Sequence, residues 1–208
     1  MRNSSSIGAC APVDVSDFSR DLSGASRELN TCLIRGAASA STVVGRRPTF
    51  LSMGGIRDPN YKLALKEALE GILQLKAPLT EHTVILCGEG VSVSKVSQGA
   101  TMMGYSPSMF PQNPSNEDLN KLRTWLQGRG GLLVTSNLQF SGMEAFTCVF
   151  ITNKITADVG VRSGLLRATT KLVVISYESQ TKVVNLDEVK RHFLFIENSK
   201  KWNNMMQT

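Results

Sequence analysis

Aromatic side chains, charged side chains and metal-ligand spacings are all scarce in this sequence. Aromatic residues make up 6% and charged residues 19% of the chain. A charged fraction below the usual quarter indicates that much of the chain lies in a protein interior. The four cysteines, Cys10, Cys32, Cys87 and Cys148, form no C-x-x-C pair, and there are only two histidines. Because a structural zinc ion takes four such ligands at close spacing, the sequence predicts no metal site.

Long apolar runs are also missing. No stretch approaches the roughly 18 consecutive apolar residues of a membrane span, and the start of the chain lacks the apolar core of a signal peptide. We therefore expect an intracellular protein, cytoplasmic or nuclear, that makes no membrane contact. The 17 glycines and 7 prolines are ordinary for a globular chain and exclude the collagen-like and low-complexity classes.

A strong charge of one sign is absent as well. The net charge is +6 at pH 7, and the basic residues are scattered along the chain instead of forming one basic arm. A mild positive excess suits a phosphate-rich partner, but solubility explains it equally well. Charge alone therefore leaves nucleic-acid binding open.

The chain does contain a regular alternation of short apolar runs and amphipathic segments. Continuous apolar character predicts strands buried on both faces, over residues 49–53, 83–87, 132–136, 147–151 and 171–176. Helices are predicted over 26–40, 58–76, 91–98, 116–127 and 159–168, with a proline-rich turn over 106–114. This alternation predicts an α/β fold, a parallel sheet with helices on both faces in three layers.

Two of the helices have clear start signals. Asp58 and Pro59 fit the N-cap and the first helical position of helix 58–76, and Ser115 with Asp118 fits a capping box for helix 116–127. Trp125 lies on the apolar face of the latter helix, which predicts a core residue and not a base-stacking platform. Residues 1–17 are predicted to be a disordered tail, 18–197 one domain, and 198–208 a flexible tail.

Three segments resemble, in order, motifs of the second RecA-like lobe of UvrD-like superfamily 1 helicases. Residues 132–144 (LLVTSNLQFSGME) are similar to motif V, an apolar strand with a Thr/Ser end and a Gln-x-x-Gly-Leu-Glu turn. Residues 161–168 (VRSGLLRA) look like motif VI, and residues 22–29 (LSGASREL) are similar to motif IV. The resemblance covers about residues 18–178, which is the C-terminal lobe of such an enzyme without its Walker A and B lobe.

The resemblance implies a role for individual residues. Arg167 would be the catalytic arginine finger, since a planar, permanently charged guanidinium suits the charge that develops on a transferred phosphoryl group. Without the resemblance, Arg167 would be interpreted as a solvated cation and Glu144 as a helix cap. By resemblance the ATP-binding residues are Arg27, Gln139, Gly142, Glu144 and Arg167, and the nucleic-acid-binding residues are Thr135 and Ser136.

The sequence also departs from this family. It contains no Gly-x-x-x-x-Gly-Lys-Ser/Thr P-loop, and no Asp-Glu pair follows a buried strand ahead of residues 132–144. ATP with Mg²⁺ is therefore expected to bind only if a first RecA-like lobe is supplied by a partner or a longer parent chain. This chain alone is expected to bind no cofactor and to be inactive. Single-stranded nucleic acid is the other partner that the resemblance implies.

Three functions remain open at this point. The favoured one is the C-terminal lobe of a helicase-like ATPase, either a fragment of a longer product or a degenerate member of the family. The second is a non-catalytic interaction or regulatory domain on a RecA-like scaffold. The third is an unrelated flavodoxin-like α/β module, which the order of strands in the sheet would distinguish from the other two.

Overall fold

The computed structural model describes residues 48–54, 56–77, 79, 82–127, 131–153, 167–177 and 193–197. These ranges include all five predicted strands. The predicted tails 1–17 and 198–208 and the predicted helix 26–40 lie outside them, as do most of the predicted helix 159–168 and Arg27.

The core of the fold is a seven-stranded sheet in which every neighbouring pair of strands runs parallel. The strands are β1 (Thr49–Ser52), β2 (Thr83–Cys87), β3 (Pro107–Phe110), β4 (Leu132–Ser136), β5 (Ala145–Thr152), β6 (Ala168–Ser176) and β7 (Leu194–Glu197). Their order across the sheet is β3-β4-β2-β5-β6-β1-β7. Because a flavodoxin-like sheet has the order 2-1-3-4-5, the flavodoxin-like alternative is wrong.

The five predicted strands are all confirmed. β2 and β4 have the predicted bounds, while β5 and β6 begin earlier than their apolar runs. The proline-rich turn predicted over 106–114 is wrong in part, because Pro107–Phe110 forms β3. β3 pairs only with β4 and lies at the edge of the sheet. A proline is tolerated as the first residue of an edge strand, where no neighbour needs its missing N–H.

Helices cover both faces of the sheet, as predicted. They are α1 (Lys62–Leu65), which continues directly into a π-helical segment (Lys66–Ile72), α2 (Val93–Met102) and α3 (Asn116–Leu126). Buried residues of α1, its π-helical segment and α2 form one apolar core with one sheet face, and Trp125 of α3 belongs to the core on the other face. Of the helices in the described ranges, none is long and apolar enough to cross a membrane.

The start of α1 differs from the prediction. The helix begins at Lys62 after Tyr61, which adopts a left-handed conformation with φ of 58°. Asp58 lies farther upstream, and its Oδ2 accepts hydrogen bonds from the Ala64 backbone N–H (3.1 Å) and the Tyr177 hydroxyl (2.9 Å). Asp58 therefore satisfies a donor in the first turn of α1 from outside the helix and ties that turn to the end of β6.

The connection before α1 packs tightly against α2. Gly99 lies in the middle of α2, and a Cβ atom at this position would overlap the carbonyl oxygen of Asn60. A glycine is therefore required here by the close approach of two backbones, although glycine lowers helix propensity. This contact holds the β1–α1 connection against the middle of α2.

The start of α3 matches the prediction in detail. The Ser115 hydroxyl accepts a hydrogen bond from the Asp118 N–H (3.2 Å), and the Asp118 carboxylate accepts one from the Ser115 N–H (2.9 Å), which completes the capping box. Trp125 is fully buried, which confirms it as a core residue. Its ring stacks on His82 at a centroid distance of 3.6 Å, and the His82 Nε2–H donates to the Trp125 carbonyl (2.6 Å).

Candidate functional site

The strand order creates a crevice at the carboxyl edge of the sheet. β2 and β5 are neighbours, but the chain leaves β2 towards β3 on one side and leaves β5 towards β6 on the other. Ligands of open α/β sheets bind outside the carboxyl ends of the strands at such a switch point. Two clefts lie along this edge, one on each side of the first turn of α2.

The first cleft, here called the serine cleft, has a volume of about 390 Å³. It lies beyond the carboxyl ends of β3 and β4, between the N-termini of α2 and α3. Its lining consists of Ser92, Val93, Ser94, Met109, Phe110, Pro111, Gln112, Asp118 and Ser136. Serine hydroxyls and the start of a ten-residue helix give one wall of this cleft a positive, hydrogen-bonding character.

The N-terminus of α2 is ordered by Ser92. Its hydroxyl accepts a hydrogen bond from the Lys95 backbone N–H (3.4 Å) and lies 3.0 Å from the Ser94 hydroxyl. The N–H groups of the first helical turn have no partner within the helix, so this end of α2 is suited to an anionic ligand.

The opposite wall of the serine cleft carries a negative charge. The Ser115 hydroxyl and backbone N–H hold the pKa of Asp118 below its ordinary value, so this carboxylate remains ionised at neutral pH. Since an anion avoids a carboxylate, a phosphate group in this cleft is expected to bind at the wall formed by α2 and Ser136.

The second cleft, here called the tyrosine cleft, has a volume of about 400 Å³. It lies at the carboxyl ends of β1, β5 and β6. Its lining consists of Arg57, Asp58, Pro59, Tyr61, Lys95, Asn153 and Tyr177. The rings of Tyr61 and Tyr177 meet edge to face at a centroid distance of 5.3 Å. Burial is the largest cause that raises the pKa of both hydroxyls, so both remain protonated.

The two predicted nucleic-acid contacts have different surroundings. Thr135 is fully buried, and its hydroxyl donates to the carbonyl of Phe110 (2.9 Å), which fastens β4 to the edge strand β3. Ser136 is half-buried, lines the serine cleft and accepts a hydrogen bond from the Gln139 backbone N–H (3.2 Å). Of the pair, Ser136 has the hydroxyl that lies at a ligand-sized cleft.

The predicted ATP-binding residues are divided between two edges of the sheet. Glu144 immediately precedes β5 and Arg167 immediately precedes β6, and the Ala145 N–H donates to the Arg167 carbonyl (2.9 Å). These two residues therefore lie together at the amino edge, opposite the edge that carries Ser136 and Gln139. Arg27 lies outside the described residues, so its role as an ATP-binding residue stays a prediction.

The backbone around Arg167 differs from the sequence prediction. Arg167 occupies a turn and Ala168 is the first residue of β6, so the predicted helix 159–168 does not include its last two residues. The start of β6 has the polar residues Thr169 to Lys171 ahead of the apolar run. Because these residues are polar, the hydrophobic pattern did not predict that the strand begins at Ala168. The remainder of that predicted helix lies outside the described residues.

Gly142 has a conformational role in the turn that joins β4 to β5. Its φ is 82°, and a Cβ atom there would meet no atom within 4 Å. The left-handed backbone explains the glycine at this position, and its predicted role in ATP binding stays a prediction.

Sequence reasoning missed the basic and aromatic residues of the tyrosine cleft. Arg57 and Lys95 belong to no motif, and they come together because the β1–α1 connection packs on α2 through Gly99. The positive φ of Tyr61 has no signature in a single sequence. The glycines of Gly88-Glu89-Gly90, directly after β2, were the only local signal that this edge carries a tight, exposed connection.

Buried thiols and metal ligands contribute nothing to either cleft. Cys87 and Cys148 are buried, and burial raises the pKa of both thiols, that of Cys87 to about 12. Both remain protonated at neutral pH and act as core residues. Within the described ranges, no group of three or more histidine, cysteine, aspartate and glutamate side chains is placed to hold a metal ion.

Comparison with known proteins identifies the fold. No family model matches the sequence, and no curated protein is significantly similar to it. The C-terminal domain of the DEAD-box protein Dbp5 is similar in structure, with 12% identity, 77% of this chain and 94% of that domain covered, and a TM-score of 0.51. The C-terminal domain of a candidate DNA helicase from Lactobacillus plantarum WCFS1 matches at 11% identity over 74% of this chain and 87% of that one, with a TM-score of 0.46.

At such low identity, the likeness to the Dbp5 domain establishes the fold alone. The seven-stranded parallel sheet with helices on both faces is the α/β fold of the RecA-like C-terminal domains of helicases.

Proposed function

We propose that this chain acts as the second RecA-like lobe of a helicase-type protein and that its serine cleft holds the backbone of single-stranded nucleic acid. The observation that carries the proposal is the cleft of about 390 Å³ at the carboxyl ends of β3 and β4, where Ser92, Ser94 and Ser136 meet the N-terminus of α2. The motif V resemblance of residues 132–144 points to the same strand end.

The chemistry of the serine cleft suits a phosphodiester. Hydroxyl groups and the free N–H groups of a helix N-terminus bind phosphate oxygens without reading a base, which is how proteins fix the backbone of a nucleic acid. The one charged side chain in the lining of the cleft is that of Asp118, which is negative, so the net charge of +6 would supply the longer-range attraction. Binding of this kind is independent of sequence and falls steeply with salt.

The finer parts of the proposal concern ATP. By the motif resemblance, Arg167, Glu144, Gln139, Gly142 and Arg27 would contact an ATP–Mg²⁺ complex held mainly by a first RecA-like lobe, supplied by a partner or a parent chain. The position of Glu144 and Arg167 at the amino edge would separate the nucleotide from the nucleic acid at the carboxyl edge. Membership of the UvrD-like family, and the status of the chain as a fragment or a degenerate member, belong to this proposal too.

A non-catalytic role is the second candidate, and the sequence supports it. The chain contains no P-loop lysine, so a nucleic-acid-binding lobe that regulates a partner needs no feature beyond those already described. The serine cleft has the same role in both candidates, and one binding experiment therefore tests both.

The experiment measures binding of a fluorescently labelled oligo(dT) to the purified full chain by anisotropy at low and moderate salt. Ser94→Asp places a carboxylate in the cleft, and because an acidic residue is favourable in the first turn of a helix, the fold is expected to tolerate it. We expect Ser94→Asp to weaken binding at least tenfold. Ser141→Asp, at an exposed position outside the cleft, is the matched control and is expected to bind nearly as the unmodified chain does. No binding by the unmodified chain, or an equal loss in both variants, contradicts the proposal.

A further inference from the structure

We propose that the bound strand continues from the serine cleft into the tyrosine cleft, where Arg57 and Lys95 bind a backbone phosphate and Tyr61 stacks on a base. This inference rests on the proposed function and extends it to a second subsite. The subsite is a cleft of about 400 Å³ at the other side of the α2 N-terminus.

The two clefts are lined by consecutive residues of the first turn of α2. Ser92, Val93 and Ser94 line the serine cleft, and the next residue, Lys95, lines the tyrosine cleft. A strand that passes over this helix end therefore meets both clefts without leaving the carboxyl edge of the sheet.

Two cations that form no salt bridge within the described residues make the tyrosine cleft attractive to a phosphate. Arg57 and Lys95 are both exposed and line the cleft, and among the described residues the structure gives neither of them a salt bridge. Asp58 contributes the only negative charge of the lining, and its Oδ2 already accepts two hydrogen bonds, from Ala64 and Tyr177. Among the described residues, the lining is therefore positive overall, and neither cation forms an ion pair.

Tyr61 gives the cleft an aromatic wall. It is one of two described non-glycine residues with a positive φ, a conformation that costs free energy and often occurs at functional sites. Its half-buried ring is braced edge to face by Tyr177, so the ring is held in place before any ligand arrives. A cationic groove next to an aromatic side chain is the combination with which proteins bind single strands, because every base has a face that can stack.

Contacts between the end of β5 and the connection that follows β2 fix the floor of the tyrosine cleft. The Asn153 side-chain NH₂ donates to the Gly90 carbonyl (3.2 Å), which joins the end of β5 to the connection between β2 and α2. The same connection is tight at Gly88, where a Cβ atom would lie 3.0 Å from the Ile151 carbonyl oxygen. The cleft is therefore held by the sheet on one side and by the braced Tyr61 on the other.

The test compares salt dependence of oligo(dT) binding between the unmodified full chain and the variants Arg57→Gln and Lys95→Gln. Each phosphate contact to a single strand adds about 0.7 to the slope of log K against log salt. We expect each variant to bind at least threefold more weakly at low salt and to lose about 0.7 from that slope. Lys76→Gln, at an exposed lysine near the amino edge, is expected to change neither value.

A second pair of variants tests the stacking contact. Tyr61→Leu is expected to weaken binding about fivefold or more with the slope unchanged, since stacking on an aromatic ring contributes about 1–3 kcal/mol per base. Tyr61→Phe is expected to bind as tightly as the unmodified chain. Thermal unfolding of both variants confirms that they are folded.

The outcomes separate the two proposals. No binding by the unmodified chain overturns the proposed function and this inference together. If the slope of log K against log salt is the same in Arg57→Gln and Lys95→Gln as in the unmodified chain, this inference alone is overturned. Adenosine 5′-monophosphate is titrated as a competitor of the oligonucleotide. One outcome is that the nucleotide binds saturably, with an affinity that depends on Arg57, while oligonucleotide binding stays intact. That result assigns the tyrosine cleft to a free nucleotide and overturns the proposal that the bound strand enters it.

Discussion

At the scale of single residues, burial decides what a hydroxyl group can do. Thr135 and Ser136 are neighbours in β4 and look equivalent in the sequence, but the Thr135 hydroxyl lies inside the protein and donates to Phe110, whereas Ser136 lines the serine cleft. One residue holds an edge strand in place, and the other is available to a ligand. Successive side chains of a strand point to opposite faces of the sheet, and this alternation separates the two roles.

The first prediction concerns the buried hydroxyl. Thr135→Val keeps the shape of the side chain but leaves the Phe110 carbonyl without its donor. We expect a loss of about 1–3 kcal/mol in the free energy of unfolding, measured by urea denaturation, and little change in oligonucleotide affinity. Thr124→Val is the control, since the Thr124 hydroxyl bonds a carbonyl of its own exposed helix and its loss is expected to cost much less. An unchanged midpoint for Thr135→Val contradicts the prediction.

The site shows how far residue-level inference from sequence extends. The motif resemblance predicted Thr135 and Ser136 together as nucleic-acid contacts, and of the two only Ser136 lines the serine cleft. Arg57 and Lys95 could not be predicted, because their proximity depends on how the β1–α1 connection packs against α2. Contacts of that kind depend on tertiary packing, which a local pattern does not contain.

At the scale of elements, the two predicted helix starts had different outcomes for a physical reason. The capping box of α3 is a local arrangement of four residues, so the sequence contains all of it. Asp58 instead bonds to Ala64, six residues later, and to Tyr177, which is 119 residues away. The competing long-range contact moved the start of α1 away from the position that the Asp-Pro signal favours.

The second prediction concerns the pH dependence of the α3 cap. The Ser115 hydroxyl is the largest cause that lowers the pKa of Asp118 below its ordinary value of 3.8. A carboxylate with a lowered pKa stabilises the folded chain above its ordinary pKa, and this contribution is lost as the pH falls through the folded-state value. Ser115→Ala is therefore expected to lower unfolding stability at pH 7, and its effect is expected to shrink below pH 3.8. Urea denaturation across that range is the measurement, and a deficit that stays constant with pH contradicts the prediction.

The third prediction concerns the contact between α2 and the β1–α1 connection. Gly99→Ala forces a methyl group onto the Asn60 carbonyl oxygen, and overpacking of this kind costs about 1–3 kcal/mol or more. Gly104→Ala is the matched comparison, since Gly104 has a φ of 85° and open space around a Cβ atom. Its cost is expected to be limited to about 1–2 kcal/mol for the left-handed backbone. Only Gly99→Ala is expected to disturb the tyrosine cleft as well, seen as weaker oligonucleotide binding. Equal unfolding stabilities and equal affinities of the two variants contradict the prediction.

At the scale of the whole molecule, the sheet has the α/β fold of the RecA-like C-terminal domains of helicases. The sequence pattern predicted its class, its parallel strands and its three layers, because apolar runs buried on both faces occur in sheets covered by helices. The pattern did not predict the strand order, nor the edge strand β3, which follows a proline and has only one neighbour. Strand order depends on pairing between distant segments, which short-range periodicity does not determine.

The fourth prediction concerns ATP hydrolysis. The purified chain is expected to release no phosphate from ATP above background, because the sequence lacks a P-loop lysine and a Walker-type carboxylate. An arginine finger raises the rate by about 10³–10⁵ only on a nucleotide that other groups already hold with Mg²⁺. A phosphate-release assay with Arg167→Ala as the control tests this expectation. If the chain hydrolyses ATP and Arg167→Ala abolishes the hydrolysis, the prediction is contradicted. If Arg167→Ala leaves the hydrolysis unchanged, the activity comes from a contaminating ATPase.

The position of β1 has a consequence for how the chain is made. Thr49 pairs with Val173 on one side and with Leu194 on the other, so both hydrogen-bonding neighbours of β1 leave the ribosome more than a hundred residues after it does. β2, β3, β4 and β5 pair among themselves and can assemble in the meantime. The side chains of β1 that are buried in the folded protein therefore remain outside the sheet during synthesis, where chaperones and other nascent chains can contact them. Among the described strands, β1 is the first to be translated and one of the last to be placed in the sheet.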